Sequence, residues 1–189
     1  MFGRVLPRKL SPPENARTFG QIGEIGIDLY VDSPALKACV EYARTKPSVM
    51  VTGVLIGDYC TWGGRDYTWI HHFIPALKAI SRSASCKITQ EAWQEISAIR
   101  EAKYSGSPIA GWMQSHPGFG IFMSEMSMKI QREYFCLPWQ VAITVDPVAD
   151  NLGFFGWSGD EIKKTGFRTV STTTNRPPGP EAGPKRPTD

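Results

Sequence analysis

The order of apolar and polar positions along the chain predicts two kinds of β-strand, half-buried and fully buried. Strict alternation is typical of half-buried strands, and short apolar, β-branched runs are typical of fully buried ones. A Gly-Gly pair at 63–64 separates two such runs and predicts a hairpin, whose return strand ends at Pro75. The predicted strands are QIGEIGIDLYVD, VMVTGVLIG, DYTWIHHFIP, IAGWMQ, WQVAITVDP and NLGFFGWSG.

Helical spacing of apolar residues predicts three helices between these strands. Ser33-Pro34 is expected to begin the helix ALKACVEYARTK, because Ser favours the N-cap and Pro the first turn. Thr89 and Ser124 are expected to cap the helices TQEAWQEISAIREAKY and SEMSMKIQREYF. The polar stretch ALKAISRSASCKIT is predicted to be a loop. The mixed order predicts an α/β fold with a central, partly antiparallel sheet.

Composition divides the 189 residues into three parts. Residues 1–20 are rich in Pro, Arg and Gly without a period, and predict an extended N-terminal arm. Residues 21–170 carry the periodic pattern of one domain. Residues 171–189 contain five prolines and few apolar side chains, so a disordered tail is expected.

Charge and hydropathy exclude several function classes. The net charge of +3 is small and unclustered, which argues against a nucleic-acid surface. The first twenty residues lack an apolar stretch of the length that a signal peptide or a membrane span requires. A cytoplasmic location and no membrane contact are therefore expected.

The four cysteines have no C-x-x-C spacing, so free thiols are expected rather than disulfides or a zinc knuckle. Cys39 and Cys136 are predicted to be small core residues, whereas Cys60 and Cys86 are predicted to lie in loops.

Three aromatic residues on the hairpin, Trp62, Tyr67 and Trp69, admit two interpretations. Exposed Trp and Tyr are enriched at interface hot spots, but the same residues could equally pack on the sheet as core.

The stretch GWMQSHPGFGIFMSEMS carries the candidate chemistry. A strand, a histidine, a Pro-Gly turn and a helix follow one another there. A hydrolytic zinc requires three protein ligands, an open position for water and a nearby general base. Alternate residues on a strand face the same side, so a strand and the next helix can supply such ligands. The corresponding positions in this chain are Gln114, His116 and Ser127.

This stretch resembles the core motif of the JAB/MPN (JAMM) family, G-W-x-H-[ST]-H-P followed by S-x-x-D. The resemblance extends to G-x-L-x-G, here Gly53, Leu55 and Gly57, and to the strand VAITVDP at 141–147. It covers about residues 25–157. The resemblance implies an MPN-like (cytidine-deaminase-like) fold, a mixed β-sheet sandwiched by helices.

The family's active-site positions transfer onto this chain one at a time. The catalytic Glu falls on Met50, the first ligand His on Gln114 and the ligand Asp on Ser127. The second ligand His is retained as His116, and the family Ser as Ser124. Both retained residues also have structural explanations, His116 in the turn and Ser124 as a helix cap. The resemblance therefore implies no catalytic residue, no metal site and no cofactor, with zinc only in a rearranged site.

We expect a non-catalytic MPN scaffold or interaction protein. Its partner would be an active JAMM relative or a ubiquitin-like protein, and the family analogy suggests a homo- or heterodimer.

Two alternatives stay open at this stage. One is a divergent metal-dependent isopeptidase or deubiquitinase-like hydrolase whose rearranged site uses His116, Glu125 and either His71 or His72. Adjacent strand residues face opposite sides, so these two histidines cannot share a metal. The other is a peptide-binding module, whose cleft would be lined by the methionines Met50, Met113, Met123 and Met126.

Overall fold

A mixed β-sheet with three helices makes up residues 5–171, the part of the chain that the computed structural model describes. The tail predicted for 171–189 lies outside these residues except for Ser171. The elements are β1 (Arg8–Lys9), β2 (Arg17–Phe19), β3 (Asp28–Asp32), α1 (Ser33–Thr45), β4 (Thr52–Trp62), β5 (Arg65–Pro75), β6 (Ile80–Ser81), β7 (Cys86–Lys87), α2 (Gln90–Tyr104), β8 (Ile109–Ser115), α3 (Glu125–Tyr134), β9 (Val141–Asp146), β10 (Asn151–Ser158), β11 (Glu161–Thr165) and β12 (Phe167–Val170).

The main sheet has the order β11-β10-β9-β8-β4-β5-β3-β12-β2, and β1 pairs with β4 beside this path. Pairing of β8 with β9, β3 with β5 and β12 with β3 is parallel, and the remaining pairs along the path are antiparallel. Two backbone bonds join the outer regions of the curled sheet, from Gly26 N to Trp157 O and from Gly166 N to Gln21 O. The partly antiparallel sheet expected from the sequence is confirmed.

The helices cover both faces of the sheet, because alternate strand residues point to opposite sides. Leu55 and Met113 pack with the α1 residue Cys39 on one face. Val54 and Ile56 pack on the other face with residues of α2, and Trp112 packs there with residues around α3. The sheet is therefore sandwiched between α1 on one side and α2 and α3 on the other.

At two glycines of the strand motifs, the neighbouring backbone lies so close that there is no room for a side chain. A Cβ added at Gly57 would lie 2.3 Å from the Trp69 carbonyl oxygen. A Cβ at Gly111 would lie 1.9 Å from the Val141 carbonyl oxygen. Both distances are far below van der Waals contact, so any side chain at these two positions would push neighbouring strands apart.

The N-terminal segment lies along the distal half of β4, beyond the end of β8. Arg8 pairs with Cys60, and its guanidinium donates to Asp58 over 2.7 Å. The Tyr67 hydroxyl donates to the Leu10 carbonyl over 2.8 Å. Leu10 and Ala16 also pack on an apolar cluster that contains Tyr67. The segment thus covers one edge and part of one face of the hairpin.

A buried ionic network lies beneath this segment. His71 Nδ1 is 3.0 Å from Asp32 Oδ2, and His71 Nε2 is 3.1 Å from Asp58 Oδ2. The Trp69 indole N–H donates to Asp32 over 2.8 Å. Both ring nitrogens of His71 therefore lie within hydrogen-bond distance of an aspartate oxygen, one on β3 and one on β4. Asp58 also pairs with the Arg8 guanidinium, so the network links β3, β4, β5 and the N-terminal segment.

Several expectations about secondary structure were wrong. The predicted loop at 76–89 contains the paired strands β6 and β7, and two strands, β11 and β12, follow the last predicted one. The N-cap of α1 is Asp32, which makes no side-chain cap bond, rather than Ser33. Thr89 and Ser124 cap α2 and α3 as expected, accepting from backbone N–H groups over 3.1 Å in both cases.

The environments of the cysteines and hairpin aromatics also differ in part from expectation. All four thiols are free, and Cys39 is buried as expected, but Cys60 is buried within β4 and Cys136 is exposed. The hairpin aromatics divide, because Tyr67 and Trp69 are buried in the core whereas Trp62 is exposed. None of the helices in the described part of the chain is long and apolar enough to cross a membrane.

Candidate functional site

The end of β8, the following turn and the first turn of α3 meet at one place on the α2/α3 face. Thr52 pairs with Gln114 in the antiparallel ladder of β4 and β8, and Gln114 pairs with Thr144 in the parallel ladder of β8 and β9. The Thr52–Gln114 register, continued by two residues, places Met50 opposite His116. Two hydrogen bonds support this continuation, from Ser115 N to Val51 O and from Val51 N to Ser115 Oγ.

Gln114, Ser124 and Ser127 are brought into direct contact. The Ser127 hydroxyl donates to Gln114 Oε1 over 2.7 Å, and the Ser124 and Ser127 hydroxyl oxygens are 2.8 Å apart. Gln114 Nε2 donates to Thr144 Oγ1 over 3.1 Å and approaches Met123 Sδ at 3.6 Å. Three elements therefore meet through neutral side chains at the positions that the sequence motif singled out.

His116 lies beside this cluster in a buried position. Its ring packs against Phe122 at a centroid distance of 4.8 Å, and its Nδ1 is buried without a hydrogen-bond partner among the described residues. Burial lowers the pKa of His116 below its usual value, against the opposing effects of a hydrogen bond to the Gly120 backbone and the Asp146 charge. A neutral imidazole is therefore favoured here.

Asp146 fixes the turn that follows His116, a role that sequence reasoning missed. Its carboxylate accepts from the backbone N–H groups of Gly118 and Gly120 over 2.9 Å each, and also from those of Val148 and Ala149. Desolvation alone would raise the pKa of Asp146, but the four backbone donors together outweigh it and hold the pKa below its usual value. The Asp-Pro pair at the end of a strand was an available signal for such a turn.

The side chains at this site do not fit a catalytic zinc. Such a metal takes three ligands from imidazole, thiolate and carboxylate groups. Here they are one imidazole, one amide and two hydroxyls, and Met50 at the position of the base has no proton acceptor. No group of three His, Cys, Asp or Glu side chains within residues 5–171 is arranged to hold a metal ion.

The alternative ligands named from the sequence have other environments. Both ring nitrogens of His71 face aspartates of the buried network, and the ring of His72 stacks on Tyr104 at 4.2 Å. His71 is buried and His72 is half-buried, as expected for neighbours on a strand. Glu125 occupies the first turn of α3 and is exposed.

The methionine-lined cleft expected for a peptide-binding module does not form as a unit. Met113 is fully buried on the opposite face of the sheet, with α1. Met50 is also buried, Met123 packs partly buried near α3, and Met126 is exposed. Two further exposed apolar residues, Phe119 and Phe122, lie in the turn between β8 and α3.

Similar proteins are found among subunits of the proteasome. The chain is 26% identical over 150 residues to the 26S proteasome non-ATPase regulatory subunit 14 of Drosophila melanogaster, covering 78% of this chain and 46% of that protein. It is 27% identical over 149 residues to the 26S proteasome regulatory subunit rpn11 of Schizosaccharomyces pombe, covering 77% and 44%. The ubiquitin carboxyl-terminal hydrolase RPN11 of Saccharomyces cerevisiae is 26% identical over 123 residues, covering 64% and 39%.

These comparisons bear on fold and family. The chain spans less than half the length of these curated relatives, and no protein-family model matches it. The solution structure of a protein from Desulfitobacterium hafniense is similar in fold, with a TM-score of 0.55 at 14% identity over 77% of this chain and 95% of that one. The architecture is an MPN-like mixed α/β fold. Identity of about 26% to JAMM/MPN-domain proteins over most of the chain supports the JAB/MPN family.

Proposed function

We propose that the chain is a non-catalytic MPN-domain protein that acts by binding another protein. The observation that carries this proposal is the side-chain chemistry at the site, where the family's Glu, His and Asp positions hold Met50, Gln114 and Ser127. On this proposal the chain has no catalytic residue and binds no cofactor.

Magnitudes support this proposal over a weakened enzyme. Full structural zinc sites bind the metal with about 10–16 kcal/mol, a range that one imidazole with neutral oxygens does not approach. A general base contributes roughly 10²–10⁴ in rate, and the thioether of Met50 takes up no proton at neutral pH. Both losses remove groups that activate the attacking water, so the hydrolytic step lacks its metal and its base.

The relatives and the surface together favour a protein partner. The similar proteins are named as subunits of the 26S proteasome, an assembly of many proteins. On this chain, Phe119, Phe122 and Met126 expose apolar surface beside the site, with Met126 at 65% of its full exposure. Aromatic residues and Met are enriched in protein interfaces. We propose an active JAMM relative or a ubiquitin-like protein as the partner, met in the cytoplasm.

Metal content and cleavage test the catalytic part of the proposal. The purified chain would be incubated with zinc, desalted and measured by elemental mass spectrometry, then mixed with isopeptide-linked di-ubiquitin with and without chelator. We expect far less than one zinc per chain and no cleavage. Close to one zinc per chain together with chelator-sensitive cleavage would support the hydrolase instead.

Binding tests the other part of the proposal. Ubiquitin and a catalytic MPN domain would each be titrated into the labelled chain and followed by NMR. Replacement of Phe119 and Met126 with Ser should weaken the complex, whereas Leu77→Ser, at a residue of similar exposure after β5, should not. Equal effects of the two sets would place the interface elsewhere, and an absence of binding to either protein would refute the proposed partners.

A further inference from the structure

The side chains at the candidate site form a chain of hydrogen bonds in which each donor can be assigned. Ser127 Oγ donates its single proton to Gln114 Oε1, so the bond between the two serine hydroxyls must run from Ser124 to Ser127. Ser124 Oγ in turn accepts from the backbone N–H of Ser127.

The chain of donors continues on the other side of the amide. Gln114 Nε2 donates to Thr144 Oγ1, which leaves the Thr144 hydroxyl proton directed to the Phe122 carbonyl oxygen at 3.4 Å. Each group therefore donates to the next in one order, from Ser124 through Ser127 to Gln114, and from Gln114 through Thr144 to the Phe122 carbonyl. These bonds connect α3, β8, β9 and the turn before α3.

The network is deeply buried and its groups are satisfied. Gln114 and Ser127 are 3% exposed and Thr144 is fully buried, and no atom of these residues is among the buried atoms without a partner. Buried polar networks stabilise one arrangement when every member is paired, and they destabilise the fold when one member is left unpaired. The Gln114 amide oxygen, which a metal would need as a ligand, already accepts from Ser127.

We propose that this network replaces a metal ion as the connection between α3 and the sheet, and that Gln114 and Ser127 form a matched pair within it. The inference rests on the proposed function in taking the chain to work without zinc. It adds a statement about stability: Gln114→His alone or Ser127→Asp alone should break the network.

The physical reason lies in the donors and acceptors. Aspartate at position 127 would place a carboxylate against the Gln114 amide oxygen, so that two acceptors face each other. Turning the amide over would require Thr144 to donate to it and so to lose its bond to the Phe122 carbonyl. Histidine at position 114 would remove the amide group that bonds Ser127 and Thr144 at once. Each single change therefore leaves buried groups unpaired, which is the expensive outcome for hydrogen bonds.

Thermal unfolding of Gln114→His, Ser127→Asp and the double variant, each with zinc and with chelator, tests the proposal. Exposed Gln94→His and Ser97→Asp on α2 serve as matched controls. We expect the wild type to melt at the same temperature in both conditions. Each single site variant should melt about 5 °C lower than its control. The double variant, which with His116 has three zinc ligands, should regain stability only with zinc.

Two results would overturn the proposal: single site variants that melt like their controls, or a wild type that chelator destabilises. Because a variant could fail to fold, a second measurement uses the wild type alone. The side-chain NH₂ protons of Gln114 should exchange with solvent far more slowly than those of exposed Gln94, and equal exchange would refute a closed network. Cleavage of di-ubiquitin by the wild type would refute the proposed function without altering these stability results.

Discussion

Replacement of Asp58 with asparagine tests the buried ionic network beneath the N-terminal segment. Asp58 Oδ2 is 2.7 Å from the Arg8 guanidinium and 3.1 Å from His71 Nε2, and its side chain is only 2% exposed. Asparagine has nearly the same shape but no charge. The Arg8 guanidinium would then face a neutral amide, and the hydrogen bond to His71 Nε2 would be altered.

The expected magnitude follows from burial. Removing one partner of a buried ion pair costs about 3–5 kcal/mol, because the remaining charges are left uncompensated. Arg8 is 30% exposed and can turn toward solvent, which reduces the loss, and the introduced asparagine keeps one acceptor oxygen. We therefore expect a loss of about 2–4 kcal/mol in the free energy of unfolding, which for a domain of this size lowers the melting temperature by roughly 4–16 °C.

Urea unfolding followed by circular dichroism measures the loss, with exposed Asp160→Asn as the control. Limited proteolysis should also cut the segment around Arg8 faster in Asp58→Asn, because that segment loses its ion pair. An Asp58→Asn protein with the unfolding midpoint of the control and unchanged proteolysis would refute the argument that the network holds the segment and stabilises the fold.

Three further predictions concern the candidate site and its strand. Gly111→Ala should lower the free energy of unfolding by about 3 kcal/mol or prevent folding, because its Cβ would meet the Val141 carbonyl, whereas Gly26→Ala has room and should be mild. The lowered pKa of Asp146 means that its stabilisation is present above about pH 4 and is lost as the pH falls through the folded-state pKa, so Asp146→Asn should flatten acid unfolding curves. The lowered pKa of His116 likewise favours the folded state above about pH 6.5 and less so below it, and His116→Gln should reduce this slope in urea midpoints measured from pH 5 to 8.

Periodicity predicted the strands that carry the core but not those at the outer part of the sheet. VMVTGVLIG and WQVAITVDP are apolar because both faces of β4 and β9 are covered by helices, so their composition alone indicates burial. The segment 161–165 is mostly exposed and has no apolar alternation, and its strand β11 exists because it pairs with β10. Pairing of this kind depends on long-range register, which local composition does not contain.

The site could be predicted as a set of positions but not as a network. Motif spacing identified Gln114, Ser124 and Ser127, which do meet in space. Thr144 was not singled out, because its contact with Gln114 arises from the parallel register of β8 and β9 across 30 residues. Asp146 was seen only as part of a motif for the same reason, since its bonds reach back to Gly118 and Gly120 across the turn.

The two buried polar clusters of this domain satisfy the same electrostatic requirement in different ways. Around His71, the two buried carboxylates face the ring nitrogens, and one of them also pairs with the Arg8 guanidinium. At the candidate site, a carboxylate at position 127 would have no comparable cation, because the pKa of His116 is lowered and its ring favours the neutral form. A buried carboxylate without a metal or a paired cation is strongly unfavourable. The neutral Ser127 hydroxyl, which donates to the Gln114 amide oxygen, avoids that cost.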